Sequence, residues 1–549
     1  MKKYMNESRK FFIFEICFLF ICSFLIGGLQ FDILTDGGFH LRRINDIYFN
    51  IISGDVFCFV AENMLDGMGY ASTGFYPSLL LIPFSALRCI FPSQLCFLMY
   101  LFFIEFLMAI NSYIFIKQIT NNKNKQFLFV IIYLILWPVL WQTFAIMALG
   151  MITAYALIPL ILTGFIKILK GKKYGILLLS GGMTLLVHSH LIFSLIMVII
   201  LIVLFFINIK EFVKSPKKIL NIIVSALICV SCCAVVIFPI LEQLILNDCI
   251  SNKFNKLPYI AVPGNYIFLL LSIFVSFYIF YKSKNKRKTT YLLISLWILL
   301  SRTNIFPWFL FPHFLKQIQF TSRLELLLAI PLGLYVIDCN NDEVKEKIIK
   351  SKMYFWVVFL FILIMMTVCC FSDNKYVTRC RIDNSNQCIG LGDYLPKNFF
   401  EDCNKDIYGT KSNNIDVILT DISYGRIKLF NKNYAFSLNN DLAYKIIDNN
   451  NYIFSNNNNS SIMIPKFYYK GYKIKLNGEE MDYYQGKYGL ITIDTNINSG
   501  KISVSYDGTL VQNISKLISY ISLTVFFIIS NIIIIIKKKK LGYIFYNKN

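Results

Sequence analysis

The sequence predicts an all-α polytopic membrane protein with a small extracytoplasmic β domain set before its last helix, and three observations carry that prediction. The 549 residues are 56% hydrophobic and 16% aromatic, with a mean hydropathy of +0.57, well beyond a soluble domain. Apolar runs long enough to cross a bilayer alternate with short clusters of lysine and arginine. One long polar stretch, residues 372–515, interrupts the runs and contains strand-like alternation. The net charge of +22 is divided among the clusters rather than gathered in one patch, so it reads as topology and not as a nucleic-acid footprint.

Lys2, Lys3, Arg9 and Lys10 precede the apolar run 11–29, which reads as an uncleaved first helix with its N-terminus inside. A polar outer loop, residues 31–93, follows. Within it the run 78–91 is short and interrupted by Pro83 and Arg88. If it crossed, the next run (94–116) would place Lys117, Lys123 and Lys125 outside, so it is expected to lie in or re-enter the interface. The runs 127–144, 151–166, 174–187, 191–207, 219–241, 266–281, 291–300, 324–337, 354–371 and 518–536 then alternate with basic clusters on one side. About twelve transmembrane helices result, with both termini cytoplasmic in a plasma membrane.

The predicted organisation is thus a transmembrane domain over 1–371, a β domain over 372–515 and a final helix with a basic tail over 516–549. In the β domain, 468–476, 490–495 and 501–506 alternate apolar and polar residues, with the turn pairs Asn477-Gly478 and Asp507-Gly508 beside them. The Asn-rich tract 449–459 is expected to be a loop. Most of the 15 cysteines lie in apolar runs as small hydrophobes; Cys380, Cys388 and Cys403 share a polar region, where a Cys380 to Cys388 disulfide is one reading.

Polar groups gather on one predicted face. The stretch TDGGFHLRRI, from Thr35 to Ile44, sets Asp36, His40, Arg42 and Arg43 beside a membrane helix, and His188, His190, His313, Glu62, Asp66, Arg302, Gln319 and Arg323 fall on the same outer side. Asp36, flanked by glycines that let a ligand come close to the backbone, is suited to a general base or a ligand for a divalent metal ion. Glu62 and Asp66 read as ordinary loop acids. Arginines at that depth suit phosphate, because a guanidinium is always charged and presents forked donors; headgroup anchoring is the competing role for Arg42 or Arg43. His188 and His190 would diverge on a helix and converge only in a turn. Glu105, in mid-span, is the one residue that favours a transporter.

DGGFHLRRI (residues 36–44), GMGYASTGFYP (67–77), His188 and His190, and QFTSR (319–323) together resemble the YfhO-like bacterial membrane proteins and the group described as 6-pyruvoyl-tetrahydropterin synthase-related membrane proteins, both similar to the GT-C glycosyltransferase superfamily. KFYYKGYKIKLNGEE (466–480), GLITIDT and GKISVSYDGT resemble the outer β domain before the last helix of that family. The resemblance implies a GT-C-like fold and transfer of a sugar from a polyprenyl-phosphate donor to a cell-envelope glycopolymer or glycolipid. It implies Asp36 as catalytic base or metal ligand and Arg323 at the donor phosphate. His40, Arg43, Tyr70, Tyr76, His188, His190, Arg302 and Gln319 would then bind substrate. The alternatives are a lipid-linked oligosaccharide transporter or flippase, and a non-catalytic envelope scaffold.

Overall fold

The computed structural model describes residues 36–246, 263–301, 303, 306, 308, 321–339, 395, 396, 398, 399, 402, 439, 442–455 and 461–546. The expected spans 11–29 and 354–371 lie outside these residues, as do Arg302, His313, Gln319, Cys380, Cys388 and Cys403.

The described chain is mostly helical, with a β region near its C-terminal end. The main helices are α1 (Asp36–Ile52), α2 (Ser93–Ile116), α3 (Lys123–Ile135), α4 (Leu149–Leu169), α5 (Gly175–Val187), α6 (Leu191–Ile207), α7 (Pro216–Cys232), α8 (Ala234–Leu246), α9 (Pro263–Lys282), α10 (Lys286–Leu300), α11 (Ala329–Cys339) and α12 (Leu510–Tyr546). Three helical stretches, Ser93–Ile116, Leu149–Leu169 and Leu510–Ile533, are long and apolar enough to cross a membrane, and up to five if each bent helix pair counts as one. Leu517 and Phe527 on α12 are 60% and 69% exposed, as side chains facing lipid tails would be.

Two expected straight spans are broken. Residues 127–144 divide at Leu136 into α3 and a bent continuation, Trp137–Phe144, at 46°. Pro138 cannot donate to the helix ladder, so the chain turns there. Residues 219–241 divide between Cys232 and Ala234 with a 70° bend. Run 78–91 does not cross as one helix: it forms the short helices Ile82–Ala86 and Leu87–Cys89, and the Arg88 guanidinium donates to Asn45 of α1 at 2.9 Å.

α4 is the hub. Pro159 inside it has no N–H for the carbonyl of Tyr155, and the Tyr133 hydroxyl of α3 donates to that carbonyl instead, at 2.7 Å. The Tyr155 hydroxyl returns the bond to Tyr133, and the rings stack 4.2 Å apart. α5 lies close against α4 because Gly164 carries no side chain: a Cβ there would strike the backbone nitrogen of Leu179.

Among the described residues the β region has two antiparallel sheets: β1 (Ala443–Ile446), β2 (Asn451–Ser455), β8 (Gly500–Tyr506), β4 (Tyr472–Leu476) and β5 (Glu479–Met481) in that order, and β3 (Ser461–Phe467), β7 (Leu490–Asp494) and β6 (Tyr484–Gln485). Strand β4 (Tyr472–Leu476) alternates buried and exposed side chains as its sequence does, pairing with β8 (Gly500–Tyr506) through Ile474 and Val504. It starts later than the 468–476 alternation suggests, because Gly471 turns the chain with φ +113°. Asn477-Gly478 forms the expected tight turn into β5 (Glu479–Met481), both residues at positive φ. The expectation of a loop across 449–459 is corrected: Asn451–Ser455 is β2, whose alternate residues Tyr452 and Phe454 enter the core. Asn451 opens the strand and Asn449 and Asn450 precede it, so composition concealed the alternation.

Candidate functional site

Helix α1 lays its polar residues along the protein interior. Asp36 opens it, and His40 and Arg43 follow at spacings of four and three, so all three share one face. His40 and Arg43 are 1% and 2% exposed. A buried guanidinium needs partners on several sides, and Arg43 has them. It donates to His40 Nδ1 at 3.1 Å and to the backbone carbonyl of Tyr76, and its charge lies 4.4 Å from the Tyr76 ring centroid.

Tyr76 is the centre of the arrangement. Its ring meets His40 edge-on at 5.4 Å and His190 at 5.9 Å. It can occupy this position because residue 150, in the first turn of α4, is glycine: a Cβ there would overlap the Tyr76 hydroxyl. His190 caps α6, its Nδ1 accepting from the Phe193 N–H at 3.3 Å. The neutral His40 and His190 rings therefore both carry their proton on Nε2.

Asp36 and Arg323 form the accessible side of the cluster. Asp36 is open to solvent at its surface but has protein around most of its carboxyl, which raises its pKa from the ordinary value; Arg323 lies near enough to oppose that rise. Arg323 is half-buried in the 3-10 segment Thr321–Leu328 and acts electrostatically on Asp36, Tyr76 and His190. Burial, then the charge of Arg43, pushes His40 well below its usual pKa, and burial with Arg323 lowers His190 to about 3. Both rings are neutral near pH 7. Burial raises the Tyr76 phenol well above its usual range.

The structure thus brings together Asp36, His40, Arg43, Tyr76, His190 and Arg323, which come from four separate parts of the sequence. His188 makes other contacts. It ends α5 while His190 begins α6, and its Nε2 donates to the Cys232 carbonyl at 3.1 Å beside Phe57. The two rings have different neighbours: His188 meets Phe57, and His190 meets Tyr76 and Phe193. Tyr70 is fully buried in the core, where its backbone exchanges hydrogen bonds with Ala61. Glu62 is not a solvated loop acid, for it is half-buried against the β region. Glu105 is 4% exposed within α2.

Two participants were missed in the sequence. Gly150 gave no signal, since its role depends on a residue 74 positions earlier. Asp46 could have been found: it lies four and three residues after Arg42 and Arg43 on one helix, between Ile44 and Ile47. It is 8% exposed, and burial pushes its carboxyl up to about 7 against the pull of both arginines.

Leu324, the residue after Arg323, is part of the lining of an open apolar pocket of about 650 Å³. Leu324 and Leu327 line it together with Ile196 and Ile200 of α6 and Trp297 and Leu293 of α10. Its volume is within the range of about 300–1,000 Å³ usual for small-molecule sites.

Among the described residues no three His, Cys, Asp or Glu side chains are grouped as ligands, and the charged group acting on Asp36 is an arginine.

No protein-family model matches the chain, and no curated protein matches it. Among solved structures it is similar to the cryo-EM structure of the arabinofuranosyltransferase AftD from Mycobacteria, with a TM-score of 0.38 and 13% identity over 66% of this chain and 27% of that one. The chain spans about a quarter of that protein's length, and a likeness of this degree carries no argument about activity.

Proposed function

We propose that the chain is a membrane glycosyltransferase that moves a sugar from a polyprenyl-phosphate-linked donor to a hydroxyl of a cell-envelope glycopolymer or glycolipid, with inversion. The observation that carries this reading is that Arg323 acts electrostatically on the Asp36 carboxyl while the next residue, Leu324, helps to line an apolar pocket. A lipid-linked phosphate needs a fixed cation at its head and an apolar space for its tail, and a transferase needs a base within reach of both.

In this reading the Asp36 carboxylate takes the acceptor hydroxyl proton as the oxygen attacks the anomeric carbon. The bond from that carbon to the phosphate oxygen breaks, and Arg323 meets the charge that develops on the leaving phosphate. Tyr76 and neutral His190 shape the sugar subsite, and Arg43, fixed by His40 and the Tyr76 carbonyl, holds Tyr76 in place. Asp36 is the only carboxylate assigned a chemical step, and no step passes through a metal.

The purified chain in lipid nanodiscs, given a labelled polyprenyl-phosphate hexose and an envelope glycan acceptor, is expected to release polyprenyl phosphate and label the glycan in equal amounts. Donor hydrolysis or transport with no labelled glycan would contradict the reading.

A further inference from the structure

The loop between α1 and α2 carries Tyr76, yet much of what fixes that loop comes from the β region, almost four hundred residues away. The Phe467 N–H donates to the Met68 carbonyl at 2.9 Å. Asn449 Nδ2 donates to Asn63 Oδ1 at 3.2 Å, and outside the β region Lys516 Nζ of α12 pairs with Asp55 at 2.6 Å. The Tyr472 hydroxyl fills the space over Gly69, where a Cβ would lie 2.5 Å from it.

At the middle of this contact is a buried polar chain. Lys466 has no solvent exposure, and its ammonium donates to Asn450 Oδ1 at 2.7 Å. Asn450 hydrogen-bonds in turn to the half-buried Glu62, whose carboxylate also feels the Lys466 charge. The register of β3 (Ser461–Phe467) on β7 (Leu490–Asp494) shifts between Ile464 and Phe467, at Pro465-Lys466. A bulge of that kind re-aims a side chain, and here the lysine points into the contact with the loop and not to solvent. Burying a lysine is costly unless it is paired, so the Lys466, Asn450 and Glu62 chain requires the loop and the β region to be docked together.

From Glu62 the loop runs back to the site through bonds already fixed. Ala61 pairs with Tyr70, and Gly74 and Thr73 donate to the Phe59 carbonyl at 2.9 and 3.0 Å. Two residues on, Tyr76 meets Arg43.

We infer that the β region is a positioning element of the site: the Lys466, Asn450 and Glu62 chain clamps the loop and thereby sets Tyr76 against Arg43 and His190. This rests on the transferase reading only for its catalytic consequence.

Hydrogen–deuterium exchange of the full chain in nanodiscs tests the clamp without turnover. Asn450→Ala is expected to raise exchange of amides 69–76 by about tenfold or more while α4 keeps its protection. Exchange unchanged at 69–76, or raised equally in α4, would overturn the inference. In the transfer assay the same variant is expected to lower kcat about tenfold with KM for the donor within about twofold. An unchanged kcat, or a loss explained wholly by less folded protein, would overturn the catalytic part. If the wild-type chain shows no transfer, the reaction fails while the exchange result still decides the clamp.

Discussion

A buried carboxyl between arginines is a balance of two large effects, and at Asp36 and Asp46 desolvation outweighs attraction. In the proposed transfer reaction the consequence for Asp36 is catalytic. A base must be ionised, so transfer should rise with pH through a single ascending limb centred above the usual carboxylate range, because His40 and His190 stay neutral and add no limb of their own between pH 5 and 8. A pH–rate profile of kcat over KM checks this. For Asp46 the consequence is stability. Its folded pKa of about 7 lies above the unfolded value, so the folded state binds the extra proton and stability falls as pH rises from about 4 to about 7. Asp46→Asn should therefore raise the melting temperature at pH 8 more than at pH 4, read by thermal unfolding in detergent.

Elements decide which residues meet, and this was only partly legible. The Asn477-Gly478 turn and the alternation of β4 are local, and the sequence predicts both. His188 and His190 differ because one ends a helix and the other begins the next, a distinction two residues cannot show. The breaks at Leu136 and Cys233 replace the straight spans expected from hydropathy, since hydropathy counts apolar residues and not missing ladder bonds. Gly150 illustrates a contact that no local pattern encodes. Adding a methyl there should displace the Tyr76 ring, so Gly150→Ala is expected to lower kcat by about 10²-fold, in line with a displacement of the site by about 1 Å, while leaving the amount of folded protein nearly unchanged. Steady-state transfer kinetics on nanodisc samples would read this.

On the scale of the molecule, the segment that carries Arg323 also supplies Leu324 and Leu327 to an apolar pocket, and the β region is docked on the loop that carries Tyr76. The helical membrane character and the β region follow from composition and periodicity. The convergence of residues 36–76, 190 and 323 does not, because packing against α4 brings them together. If the pocket holds the donor's lipid, filling it should discriminate by chain length. Leu327→Trp is expected to raise KM for a long-chain polyprenyl-phosphate sugar more than for a short-chain analogue, with kcat on the short one preserved. Equal effects on both lengths would remove the pocket from the account.

The central claim is that Asp36 takes the acceptor proton, and the most direct measurement compares wild type and Asp36→Asn for transfer of label from a polyprenyl-phosphate hexose to envelope glycan, with both proteins matched for folding by thermal unfolding. The amide keeps the shape and loses the base, so the account predicts a fall of about 10²–10⁴-fold in kcat with donor binding retained. Equal transfer by the two proteins would contradict it, and transfer by neither would favour a transporter or a scaffold.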